Sequence, residues 1–197
     1  MVERHPNVLI VEDDHAGRVS GAPAHTLTAP SRTRWAVIRS VAKDLHPDLR
    51  LALMAGDETT IARVEGRQAL GPRWVSHITQ GLVAELLRDS AAANLVATAA
   101  TVYAQRREAL LTALADEGIP AHGRSGLNVW VPVREKAPVV RALLDAGWLV
   151  LAGERCRIQT PPGVRITVAA VTRQDEAREI ARVIATVERA GHPRRVY

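Results

Sequence analysis

Two short stretches carry residues whose types and spacing can do chemistry. Residues 7–15, NVLIVEDDH, form an apolar run closed by Glu12, Asp13, Asp14 and His15. Residues 40–51, SVAKDLHPDLRL, present Ser40, Lys43 and Arg50 around a short connection. The acids can hold a divalent cation, a transition metal or the ring nitrogen of a cofactor. Lys43 stands out because only it and Lys136 are lysine among 26 lysines and arginines. A lysine can lose its proton and act as a nucleophile, which arginine cannot do.

Each possibility makes a demand on the rest of the chain. An acidic strand tip followed by Pro47-Asp48-Leu49 resembles a response-regulator receiver domain, which needs an acceptor aspartate at the end of the next strand. Counted from Pro47, that position is Leu53, and no carboxylate is there to take a phosphoryl group. A metal site built from Asp13, Asp14 and His15 meets strand geometry, since adjacent residues point to opposite faces. No HxxxH or CxxC pair stands elsewhere to complete it, so no metal is expected. A cofactor reading finds its parts. Lys43 can form a Schiff base, and Ser40 and Arg50 can reach an anion such as a phosphate. An aspartate at a neighbouring strand end can keep a pyridine nitrogen protonated and make the ring an electron sink. Those are the requirements of pyridoxal 5'-phosphate. The plainer alternatives are a loop-capping aspartate and ordinary surface cations.

The elements that must position these residues follow from periodicity. Val8–Val11 reads as a buried strand, residues 16–33 as a Gly/Pro/Ser/Thr loop, and residues 35–42 and 49–56 as two further strands. A helix opens with acids near Asp57 and stops at Gly71-Pro72. Residues 73–89 read as a helix with Val75, Ile78, Leu82, Leu86 and Leu87 on its packing face, and 90–118 as a long alanine-rich helix. Beyond it, LNVWVPV, WLVLAG and VRITVAAV read as strands, EKAPVVRALLDAG as a helix, and residues 173–191 as an amphipathic helix with Ile180, Val183, Ile184 and Val187 as its stripe. The expected fold class is therefore α/β up to about residue 92 and a smaller α+β part after it.

Composition sets outer bounds. A chain of 197 residues can bury a core, and its 47% hydrophobic and 24% charged content is ordinary for a globular protein. No apolar stretch approaches membrane-spanning length, and the N-terminus lacks the pattern of a signal peptide. The one cysteine, Cys156, excludes a disulfide framework and points to a reducing cytoplasm. The net charge of +5 comes from scattered arginines, which favours a solvated surface over a nucleic-acid patch. No helix-turn-helix pattern is visible, so direct DNA contact from this chain is not expected.

Taken in order, the stretches VEDDHAG, SVAKDLHPDLRLALMAGD, LGPRWVSHITQGLVAELLRD, VYAQRREALLTAL, SGLNVWVPV and GVRITVAAV resemble the fold type I, class I/II pyridoxal-phosphate aminotransferases. Within them the chain is most similar to the aminotransferase-like domain of MocR-type regulators of the GntR superfamily. The resemblance implies the C-terminal part of such a domain, with residues 1–92 as a partial cofactor-binding large domain. Residues 93–197 would then be a connecting helix and small C-terminal domain. It implies that Asp13 pairs with the pyridine nitrogen, that Lys43 is the Schiff-base lysine, that Ser40 and Arg50 hold the phosphate, and that Arg165 grips an α-carboxylate. His15 stands where the family usually has a tyrosine bonded to the cofactor's ring oxygen. An imidazole can donate the same bond. The winged helix, the glycine-rich phosphate turn and the aromatic residue stacked on the ring have no counterpart in this sequence. A homodimer and an amino acid or amine ligand are implied. The resemblance leaves three readings: an effector-sensing domain, a catalytic aminotransferase, or a remnant that binds no cofactor.

Overall fold

The computed structural model describes residues 5, 7–28 and 33–191. By internal contacts the chain divides into two compact units, Met1–Ala100 and Thr101–Tyr197. In the first, strands β1 (Ile10–Asp14), β2 (Trp35–Ser40) and β3 (Ala52–Gly56) form a sheet in the order β1-β2-β3. β1 runs parallel to β2, with Asp13 opposite Ile38 and Asp14 opposite Arg39. β3 is antiparallel to β2, with Ser40 opposite Ala52 and Ala36 opposite Gly56.

Helix α1 (Glu58–Leu70) begins where Asp57 can serve both the helix and the sheet. Its carboxylate accepts from the Thr60 N–H at 3.1 Å, the Thr60 hydroxyl at 2.6 Å and the Trp35 N–H at 2.8 Å. One N-cap residue thus fixes the entry of α1 onto β2. The Thr60 hydroxyl and these amides hold the Asp57 carboxyl below its usual range. A side chain on Gly56 would point at Ile61 and collide with the Trp35 carbonyl at 2.8 Å. The glycine therefore lets α1 lie close on the sheet face that carries Ala36 and Ile38. Helix α2 (His77–Arg88) is capped by Ser76, which accepts from Thr79 N–H, and its buried Val83 packs with Val41 and Leu51.

Helix α3 (Ser90–Asp116) runs out of the first unit into the second. The second unit holds strands β4 (Asn128–Pro132), β5 (Leu151–Ala152) and β6 (Gly163–Thr167) in the antiparallel order β4-β6-β5. Helices α4 (Lys136–Asp145) and α5 (Gln174–Ala190) complete it. In α5, Ala177, Ile180, Ala181, Ile184 and Ala185 are buried at the i, i+3, i+4, i+7, i+8 spacing of one helix face. They meet Val129, Val131, Val139, Leu143, Val164 and Ile166 in a single core with Leu110 and Leu114 of α3. Glu176 closes the N-terminus of α5 by accepting from the Thr172 and Arg173 N–H groups at 2.7 and 2.9 Å.

The structure corrects several sequence expectations. The Val8–Val11 run is not a buried strand: β1 begins at Ile10, and Val8, Leu9 and Val11 are 53%, 48% and 54% exposed. β1 is the outer strand of its sheet and has a neighbour on one edge alone among the described residues, so apolar composition does not translate into burial. The face assigned to residues 73–89 also fails. Ile78 is 86% and Leu82 50% exposed, while the buried position is Val83. A helical stripe shows which side is apolar, but the partner decides which side is covered. The strand expected from residue 49 starts at Ala52, because Pro47–Leu49 forms a tight turn capped by a left-handed Arg50. WLVLAG contributes only the two residues of β5. The fold class itself, mixed α/β with a partial sheet in the first unit and a sheet packed by helices in the second, is as expected.

Candidate functional site

Five of the six candidate residues lie at one end of the first sheet. β1 and β2 are parallel, so Asp13, His15, Ser40 and Lys43 all belong to the C-terminal ends of their strands or just beyond. β3 is antiparallel, so Arg50, two residues before it, comes to the same end. Strand alternation sorts their faces. Asp13 shares a face with Ile38 and Met54, and Ser40 with Ala52, whereas Asp14, Arg39 and Leu53 share the opposite one.

The two adjacent aspartates accordingly have different roles. Asp14 Oδ1 accepts from the Gly17 N–H at 2.9 Å and turns the chain out of β1. Its Oδ2 lies 3.5 Å from Arg39 Nε on β2. Asp13 is exposed, and its carboxylate makes no hydrogen bond or ion pair among the described residues. Gly17 takes a left-handed backbone at φ 52, which suits a glycine in that turn.

Ser40 ends β2 and accepts from the Ala42 N–H at 3.2 Å, capping a single turn closed by Leu45 N–H on Val41 O at 3.0 Å. That turn carries Lys43 on its exposed side. Arg50 holds φ 46, ψ 41, a left-handed conformation that is costly for a residue with a Cβ. The side chains of His15, Lys43 and Arg50, like that of Asp13, have no partner among the described residues. By contrast Arg18 and Asp44, in the same loops, pair at 3.1 Å. The charged groups at this sheet end therefore fall into two sets, one neutralised within the protein and one turned outward.

Together with Ser40, the outward set suits a bound pyridoxal phosphate by donor chemistry. A carboxylate stands for a protonated ring nitrogen, an arginine and a serine for a phosphate, and an amine for a carbonyl carbon. Ile38 and Met54, half-buried beside Asp13, offer an apolar surface.

A family model for class I and II aminotransferases matches residues 1–184 of this chain. The chain belongs to the class I and II aminotransferase family. Over 171 residues it is 37% identical to the vitamin B6 salvage pathway transcriptional repressor PtsJ of Salmonella typhimurium strain LT2, spanning 86% of this chain and 40% of that protein. Its fold is similar to that of the aromatic aminotransferase of Pyrococcus horikoshii OT3, with a TM-score of 0.80 at 18% identity, over 96% of this chain and 53% of that one. LysN, the α-aminoadipate aminotransferase of Thermus thermophilus, complexed with N-(5'-phosphopyridoxyl)-L-leucine, gives 0.76 at 19% identity, over 96% and 51%. At those identities the two structures establish the aminotransferase fold. The chain spans about half the length of these aminotransferases and less than half of the repressor.

Within this aminotransferase-family chain, Arg165 lies apart from the other five in sequence and unit. It sits on β6 in the second unit, opposite Trp130 and Leu151, half-buried and with no side-chain hydrogen bond or ion pair among the described residues. Sequence reasoning missed two features. One is the Asp14, Gly17, Arg39 and Arg18, Asp44 network, for which the aspartate three residues before a glycine was the available signal. The other is Arg107, 7% exposed, which donates to the Gly126 carbonyl at 2.8 Å and holds the turn before β4. Nothing in its helical context marked it.

Proposed function

We propose that this chain binds pyridoxal 5'-phosphate as the effector-sensing part of a MocR-type transcriptional regulator. The observation that carries the proposal is the outward set of Asp13, Lys43 and Arg50 at one sheet end, beside like-charged neighbours that are paired internally. The similarity to a transcriptional repressor of a vitamin B6 pathway supports the regulatory half of the reading. In it, residues 1–92 carry the cofactor, and residues 93–197 supply the connecting helix and small domain.

Asp13 would keep the ring nitrogen protonated, His15 would donate to the ring oxygen, and Ser40 and Arg50 would bind the phosphate. Lys43 would hold the cofactor covalently, and Arg165 would bind the carboxylate of an amino acid effector bidentately. Bound pyridoxal phosphate would supply an electron-withdrawing ring and a carbonyl that exchanges between amines. The protein would act in the cytoplasm as a homodimer, with DNA contacted outside this chain.

Titration with pyridoxal phosphate tests the proposal. Wild type should develop a visible absorption band, and borohydride should fix a pyridoxyl group on Lys43. Lys43→Ala should show neither, and an unchanged wild-type spectrum would overturn the cofactor reading.

A second reading is a catalytic aminotransferase, the activity named for solved proteins that share this fold. There Lys43 would move the α-proton as general base. Release of a keto acid from an added amino acid would select that reading. A ligand-specific spectral change without keto acid would select the sensor.

A further inference from the structure

The loop that follows β1 carries His15, and the turn that follows β2 carries Lys43. Among the described residues neither side chain has a partner, yet the residues beside them do. Arg18 Nε donates to Asp44 Oδ2 at 3.1 Å, joining loop to turn across 26 positions of sequence. The Asp44 side chain is only 9% exposed, and its Oδ1 is fully covered with no hydrogen-bond partner among the described residues. The loop passes close to that carboxylate: a Cβ built on Gly17 would be in ordinary contact with it, 3.5 Å from Asp44 Oδ2. Asp14 pins the same loop from its other end through Gly17 and Arg39. His15 thus lies between two anchored residues, and Lys43 is the immediate neighbour of a third.

We infer that Asp44 is a positioning residue that clamps the His15 loop to the Lys43 turn, so that the two cofactor-facing groups move as one unit. The inference rests on the cofactor reading above for its purpose, and on the Arg18–Asp44 geometry for its existence. A covered carboxylate with one charged partner among the described residues is a demanding feature, because loss of that partner leaves a charge without compensation. An ornamental surface pair would show no such dependence. Removing Arg18 alone should therefore be worse than removing both partners.

Two measurements on the 197-residue protein decide the matter. The first is amide hydrogen exchange without cofactor. Arg18→Ala and Asp44→Ala should each accelerate exchange in both segments, residues 15–19 and 42–45. The reversed pair Arg18→Asp with Asp44→Arg should restore protection. Acceleration confined to the mutated segment, or no rescue by reversal, would overturn the clamp. The second is pyridoxal phosphate affinity together with borohydride trapping on Lys43. Arg18→Ala should weaken binding about tenfold, with the Arg18→Ala/Asp44→Ala double variant no weaker than the Arg18 single variant. Asp44→Asn, which keeps an acceptor and nearly the same shape, should bind better than Asp44→Ala. Additive losses, or coupled exchange with unaltered binding, would overturn the positioning role. Absence of any Lys43 adduct in wild type would instead overturn the cofactor reading, with the exchange measurement still deciding the clamp.

Discussion

Asp14 reaches Arg39 on the neighbouring strand at 3.5 Å and leaves Asp13, one residue earlier, facing the other side of the sheet. The two carboxylates should separate cleanly on substitution. Asp14→Ala removes the bond to Gly17 and should cost about 1 kcal/mol in urea denaturation. Asp13→Ala should leave the unfolding curve within about 0.5 kcal/mol of wild type and weaken pyridoxal phosphate binding. The reverse outcome would exchange the roles assigned to them.

Lys43 is exposed, which separates its chemistry from its contribution to stability. Lys43→Arg keeps the charge but cannot condense with a carbonyl. Its thermal midpoint should match wild type while covalent trapping of the cofactor disappears. Retained trapping would move the attachment to Lys136, the other lysine.

Arg50 holds a left-handed backbone at φ 46. Arg50→Gly should relieve about 1 kcal/mol of strain while removing a phosphate-binding group. Stability should rise and cofactor affinity should fall, a pairing that a merely structural arginine would not give. Calorimetry and cofactor titration on one sample measure both.

Asp57 joins α1 to β2, and its carboxyl is held below the ordinary range by the Thr60 hydroxyl and by the Trp35 and Thr60 amides. A lowered folded-state pKa stabilises the fold above the unfolded carboxylate value of about 3.9, and that contribution is lost as pH falls through the folded value. Wild type should lose stability below about pH 4 faster than Asp57→Asn does. Equal slopes for the two in acid denaturation would contradict the assignment.

In the second unit, Trp130 lies over two glycines. A Cβ on Gly153 would come within 2.2 Å of its ring, and one on Gly163 within 2.4 Å. Gly163→Ala should cost about 1–3 kcal/mol through overpacking, with partial recovery when Trp130 is shortened to Leu. Chemical denaturation of the single and double variants checks it.

The order of the elements and the kinds of groups at the sheet end were legible in the residues alone. Local rules suffice there. Asp57 ahead of a helical run, the repeating apolar face of α5 and the acidic close of the first strand are each readable from near neighbours. Their resemblance to one family was legible for the same reason, since residue types and spacing survive in the chain as written. Burial was not legible. Val11 and Ile78 have the composition of covered residues but are exposed, because covering depends on what packs against them. The division between Asp13 and Asp14 was equally hidden. Alternation says that adjacent residues face apart, but only the register of β1 on β2 brings Arg39 beside Asp14 rather than Asp13. Arg18 and Asp44 were invisible as a pair, since a contact across 26 positions exists only once two loops meet at the same end of a sheet.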